Sequence, residues 1–168
     1  THTGSSAASD VYKRQNLNIE NAYKFLKNKS TTEHRFEKVE IINGTRFIND
    51  SKSTNFHSVS SASERVKNAL LIMHGITKNI STSELQLSKE IIKIILPPDM
   101  KLDQNLFHCE VEVIKSIFEL EDIVKKDFQR FETVLFSCGG SSFNDFENYI
   151  ERGKFFKSIV KNLKGGQN

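Results

Sequence analysis

The chain has 168 residues, 27% of them charged and 37% hydrophobic, with a formal net charge of +3. That length suits one domain of ordinary size or a domain with a tail, and so weak a charge gives no support to nucleic acid or an anionic membrane as a partner. Thirteen Phe and three Tyr, with no Trp, supply enough apolar bulk for a real core and exclude disorder throughout.

Residues Thr1 to Gln15 contain no Leu, Ile or Phe and show no sustained period, as expected of a non-native or disordered leader. Residues 16–33 then carry Ile19, Ala22, Tyr23, Phe25 and Leu26 at helical spacing, which predicts a helix over Leu17 to Lys27. A polar connector follows. Val39 to Ile42 and Thr45 to Ile48 read as two strands joined by Asn43-Gly44, the favoured pair for a type I′ hairpin turn.

From there strand and helix patterns alternate. Asn55 to Lys67 is helical, and Ala69 to Met73 is an apolar run suited to a buried parallel strand. Ser83 to Lys89 is expected to be a short helix. Ile91 to Leu96 is a second buried strand, stopped by Pro97-Pro98. Cys109 to Ile114 alternates like an edge strand, Phe118 to Phe128 is helical, and Thr133 to Ser137 is another strand. A last helix is expected from Phe143 to Leu163, with an apolar stripe of Phe146, Ile150, Phe156, Ile159, Val160 and Leu163. Its acids come early, and Lys154, Lys157, Lys161 and Lys164 come late, as the helix dipole favours.

This alternation argues an α/β fold: a mostly parallel sheet of about six strands with an N-terminal hairpin and helices on both faces. Its core would end near residue 164, leaving a short tail over 165–168. Ligands of such sheets bind beyond the carboxyl ends of the strands. Three loops meet that condition: Asn49 to Asn55, His74 to Lys78 and Ser137 to Ser142. The first offers Asp50, Lys52 and several hydroxyls before a helix; it suits an anion or simply a polar cap made by Ser53, Thr54 or Asn55. The second has a Gly where backbone must approach closely, a cation at Lys78, and a histidine that reads more readily as a satisfied loop residue than as a base. The third has two Gly and three hydroxyls, but no G-x-S-x-G elbow.

Cys109 and Cys138 lack a disulfide framework or metal-type spacing, and inert packing suits Cys138. The Ile91 to Leu96 run, interrupted by Lys93, is far shorter than the roughly 20 apolar residues needed to span a bilayer. The N-terminus has no apolar signal region, so a cytoplasmic protein is expected. No G-x-x-x-x-G-K-[ST] occurs anywhere in the chain, so a phosphate-binding loop for nucleotide hydrolysis would have to lie elsewhere.

Four features run in order: His34-Arg35-Phe36-Glu37; Asn49-Asp50-Ser51-Lys52-Ser53-Thr54-Asn55; the strand followed by Gly75 and Lys78; and Ser142-Phe143 with Phe146, Asn148-Tyr149 and Arg152-Gly153. Over about Glu33 to Leu163 they resemble the C-terminal domain of the Mur ligase family, in particular its D-glutamate-adding members. The resemblance implies a Rossmann-like domain over 34–164, with 16–33 as the end of a central ATPase domain and its linker. It further implies an enzyme that uses ATP and magnesium, both held mainly by that central domain, to join D-glutamate to UDP-N-acetylmuramoyl-L-alanine in peptidoglycan precursor synthesis. The substrate carboxylate becomes an acyl phosphate, and the D-glutamate amine attacks it.

By the same resemblance, Thr54, Lys78 and Ser142 bind the D-glutamate carboxylates, Phe143 contributes its backbone, and Tyr149 shapes the pocket. Lys52 acts catalytically on the acyl phosphate, while His34, Arg35 and Asp50 lie toward the nucleotide, and no metal ligand is expected. The enzyme is expected to be a monomer, and this chain alone to be inactive. The sequence departs from the family pattern at Met73-His74-Gly75, at Ser137 to Ser141 and at Asn144, where Asn144 is expected to serve as a helix cap. Two other readings stay open: a domain of another Mur or folylpolyglutamate-type ligase, and a non-enzymatic α/β binding module.

Overall fold

Six strands form one sheet whose centre is the last of them. The computed structural model describes residues 32–77, 81–98 and 100–166. The expected helix over Leu17 to Lys27, the leader before it, and Lys78 lie outside the described residues. β1 (Glu37–Ile42) and β2 (Thr45–Asp50) make the antiparallel hairpin. Asn43 and Gly44 both take positive φ, 49° and 88°, which matches the strand twist as a type I′ turn must. β3 (Ala69–His74), β4 (Ile91–Leu96), β5 (Glu110–Val113) and β6 (Thr133–Gly139) follow, and all their pairings are parallel. The order across the sheet is β1-β2-β6-β3-β4-β5.

That order follows from burial. β3 and β6 are buried at every position, as continuous apolar runs covered on both faces require. β5 is half-exposed and takes an edge. On one face, α1 (Phe56–Ser63) packs Phe56, Val59 and Ala62 against Leu71, Met73 and Leu135. On the other, α2 (Leu120–Asp127) and α3 (Tyr149–Gly165) pack Leu120, Val124, Phe156, Val160 and Leu163 against Phe47, Leu70, Ile72 and Phe136. Phe136 and Phe156 stack with centroids 4.7 Å apart.

Lys93, the interruption in β4, stays in the sheet because its ammonium reaches Glu110, Glu112 and Asp127 at 3.0, 2.7 and 3.5 Å. A register shift at Ala69/Leu70 lets both Ile91 and Ile94 reach the α1 face while Ile92 faces solvent.

All four expected helices within the described residues are shorter than their patterns. Asn55 to Lys67 keeps helix only over α1, with Asn55 as its cap. Ser83 to Lys89 reduces to a 3-10 turn at Thr82–Glu84, because Ser88 and Gln86 amides are drawn instead to the Ser63 and Ser60 hydroxyls of α1. Phe118 to Phe128 keeps helix only over α2, flanked by 3-10 turns. The last helix begins at Tyr149 rather than Phe143. Its cap is Asn148, whose side chain accepts from the Ile150 and Glu151 amides; Asn144 does not cap it. Phe146 therefore packs from the preceding turn, and Ile150 is partly exposed, at 38%.

Candidate functional site

The strand order decides where the loops go. β2, β6 and β3 are adjacent and parallel, so their carboxyl ends bring residues 49–55, 137–142 and 74–77 to one end of the sheet. Cross-links then join them. The Ser137 hydroxyl donates to Asp50 Oδ2 at 2.8 Å, and the Gly139 amide donates to the Ser53 carbonyl at 3.0 Å. Ile76 and Ser141 exchange two backbone hydrogen bonds, each of 3.0 Å. A Cβ at Gly75 (φ +110°) would overlap the Ser141 carbonyl oxygen, so this approach requires glycine.

Arg152 ties all three together. Its guanidinium is fully buried and donates to the carbonyls of Ser51 (2.7 Å), His74 (3.2 Å) and Gly140 (3.0 Å), one from each loop. Among the described residues it makes no ion pair, so a positive charge lies beneath the loops with backbone dipoles as its neutralising groups. The next residue, Gly153, is small for a reason: a Cβ there would overlap His34 Nδ1. Arg152 and Gly153 carried no assigned role in the sequence reading. The available signal was an Arg on the apolar stripe of a helix, a position where burial demands partners.

The segment before the hairpin closes one side. His34 and Phe36 both have positive φ, 65° and 46°, a conformation rarely adopted by side-chain-bearing residues and common at functional sites. Asp50 holds the bend by accepting the Phe36 amide at 2.9 Å. Asn49, fully buried, donates to His34 Nδ1 (3.0 Å) and Glu37 Oε2 (3.1 Å) and accepts from the Ser51 amide. His34 Nδ1 therefore acts as acceptor and Nε2 carries the proton. Burial holds the His34 imidazole below its ordinary pKa. Burial pushes the Asp50 carboxyl up, partly offset by the Ser137 hydroxyl and the Phe36 amide.

The residues singled out from the sequence fall into three places. Arg35, Asp50 and Lys52 line one groove of about 330 Å³, with Ser53 and Arg65 on its wall. Lys52 extends its ammonium over the Tyr149 ring, 4.9 Å from the centroid, and its amide donates to the His34 carbonyl. His34 itself is buried and does not line the groove; it lies edge-on to Tyr149 at 6.0 Å. Ser142 is buried in the turn before α3, Phe143 projects into solvent, and Thr54 is exposed ahead of α1. Asn55 is the cap of α1, accepting from the Ser58 amide. Lys78 belongs to the undescribed segment.

His74 is the satisfied histidine expected, held by Asp145 and Arg152. Cys138 is fully buried, and burial pushes its thiol up to about 12, which makes it inert. The groove's three cations, Arg35, Lys52 and Arg65, and its one carboxylate suit the phosphoryl side of a nucleotide. Among the described residues no group of three or more His, Cys, Asp or Glu could hold a metal ion.

No known family profile matches the chain. It is, however, 34% identical over 157 residues to the UDP-N-acetylmuramoylalanine--D-glutamate ligase of Thermosipho melanesiensis, which covers 90% of this chain and 37% of the relative. It is 34% identical to the same-named enzyme of Thermosipho africanus and 31% identical to that of Hydrogenobaculum sp., over 85% and 93% of this chain and 35% and 39% of the relatives. The chain is homologous to the C-terminal part of these Mur ligases. It spans somewhat more than a third of their length. The sheet, with its hairpin edge and helices on both faces, agrees with that assignment. No helix among the described residues is long and apolar enough to cross a membrane.

Proposed function

We propose that this chain is the amino-acid-delivering C-terminal domain of a cytoplasmic, monomeric, ATP-dependent ligase that adds D-glutamate to UDP-N-acetylmuramoyl-L-alanine in peptidoglycan precursor synthesis. The observation that carries this reading is the joining of three strand-end loops around Arg152, with Lys52 standing over Tyr149 beside them. Two carboxylates need cations, hydroxyls and amide donors. Thr54, Lys78, Ser142 and the Phe143 backbone supply that set, and Tyr149 walls it.

On the groove side, Arg35 and Lys52 face the nucleotide, and Lys52 stabilises negative charge that develops on phosphoryl oxygens. Asp50 and His34 hold that corner. ATP and magnesium are held mainly by the central domain, which supplies the phosphoryl chemistry. This domain brings the D-glutamate nitrogen to the activated carboxylate, so the fragment by itself turns nothing over.

Titration of the ¹⁵N-labelled chain with D-glutamate and with L-glutamate tests the reading. Saturable shifts at Ser142, Phe143 and Tyr149 with the D-enantiomer are expected, with weaker ones for the L-enantiomer. Preference for another amino acid, or shifts confined to residues remote from these loops, would overturn it. ATP consumption by the purified 168-residue chain would overturn the assignment of the phosphoryl chemistry to another domain.

A further inference from the structure

His74 ends β3, is fully buried, and sits one residue before the glycine that the loop contact requires. Arg152 points Nη1 at its Nδ1 from 3.3 Å. A guanidinium only donates, so Nδ1 is the acceptor and the proton is on Nε2. That proton is aimed at Asp145 Oδ2, 2.9 Å away. The same oxygen accepts from the Asn144 side-chain Nδ2 at 2.7 Å, and the Phe146 ring meets the imidazole edge-on at 5.4 Å.

Asp145 belongs to the Ser142 turn: its amide and that of Phe146 both donate to the Ser142 carbonyl, at 3.3 and 2.9 Å. Residues 142–148 have no regular secondary structure; the Ile76–Ser141 backbone pair anchors the turn at its start, and beyond it side-chain contacts help to set where the turn lies. The chain of contacts runs from the Arg152 clamp through the imidazole to the turn that carries Ser142 and Phe143.

We propose that His74 is a positioning residue: with Asp145 it latches the Ser142–Phe143 turn to the end of β3, and so presets the receptor for a substrate carboxylate. The ligand part of this inference rests on the function proposed above; the latch itself rests on the geometry. The latch needs an acceptor at residue 145, and it does not need a negative charge there.

The test uses the whole 168-residue chain. ¹⁵N spectra of the imidazole are expected to show a neutral His74 with the proton on Nε2. Asp145→Ala should speed amide exchange at Phe146 by roughly five-fold or more and weaken D-glutamate binding by a similar factor, the scale of one lost hydrogen bond. Asp145→Asn, which keeps an oxygen acceptor, should stay within about two-fold of the parent in both. Lys154→Ala, at an exposed side chain of α3, serves as the control that leaves both unchanged.

Unaltered exchange in Asp145→Ala, a His74 proton on Nδ1, or an Asp145→Asn variant as impaired as Asp145→Ala would each overturn the latch. If the parent chain binds no D-glutamate, the substrate reading falls while the exchange comparison still judges the latch. His74→Ala would leave a cavity at the end of β3, so the comparison is made at the partly exposed Asp145 instead.

Discussion

The two sides of the sheet are built on different principles. Around β2, β6 and the end of β3, polar groups are buried one after another: His34, Asn49, Asp50, Ser51, Ser137, Ser142 and Arg152. Side-chain cross-links there join segments far apart in sequence, as Arg152 with Ser51 and Ser137 with Asp50 do. Around β4 and β5 the polar groups lie at the rim. Lys93 is the buried exception, and its three carboxylate partners are all partly exposed. A buried polar group without partners is costly. One region therefore carries a large potential penalty that geometry must cancel, while the other is scaffolding that water helps to hold. The concentration of buried polarity marks where function constrains the fold.

The sharpest way to break this comparison is Arg152→Met. It fills similar volume but orphans three buried carbonyls, and a loss of about 3–5 kcal/mol, or failure to fold, is expected by chemical denaturation. Asn49→Ala should cost about 2 kcal/mol in the same assay, because the Ser51 amide loses its acceptor and His34 and Glu37 lose a donor. On the scaffold side, Lys93→Met should cost only about 1 kcal/mol, since the carboxylates it leaves behind are reached by water. If Lys93→Met proves costlier than Asn49→Ala, the contrast between the regions is wrong.

Acid sharpens the same contrast. The His34 pKa is lowered by burial. The Glu37 pKa is also lowered: burial pushes it up, but the His34 amide, Lys157 and Asn49 outweigh that. For a lowered folded-state pKa, the stabilisation is present above the unfolded value and is lost as pH falls through the folded one. Stability should therefore decline as pH drops below about 6.5 and again below about 4.3. Asp50, whose pKa is raised, works in the opposite sense, so the diagnostic is the difference on His34→Gln: thermal melts from pH 7 to 5 should lose part of their slope.

The smallest effect expected is at Cys138. Its thiol, at about 12, should resist alkylation at neutral pH in the folded chain and react on denaturation, read by mass spectrometry.

Local chemistry was enough for the hairpin, because Asn43-Gly44 satisfies a turn geometry that few pairs can. The buried strands were legible as well, since apolar runs bounded by Gly and Pro have few other fates. The loop set could be named in advance from the rule that ligands gather beyond the carboxyl ends of strands. The onset of α3 could not. Phe143 and Phe146 keep helical spacing, yet Asn148 offers a better cap and the Ser142 turn is held elsewhere, by Ser141, Asp145 and Ile76. Ser83 to Lys89 failed for a related reason, its amides being taken by hydroxyls of α1.

The sequence by itself determined the alternation of elements, the sites of the turns, the apolar faces and the motifs of the Mur ligase C-terminal domain, since these depend on side-chain period, dihedral preference and short-range hydrogen bonding. Only the tertiary structure decided that β6 threads between β2 and β3. That placement brings three loops within reach of one guanidinium. It also decided which partners Arg152, Asn49 and His74 find, because a buried polar group is satisfied by whatever the fold carries to it, at separations no local pattern encodes.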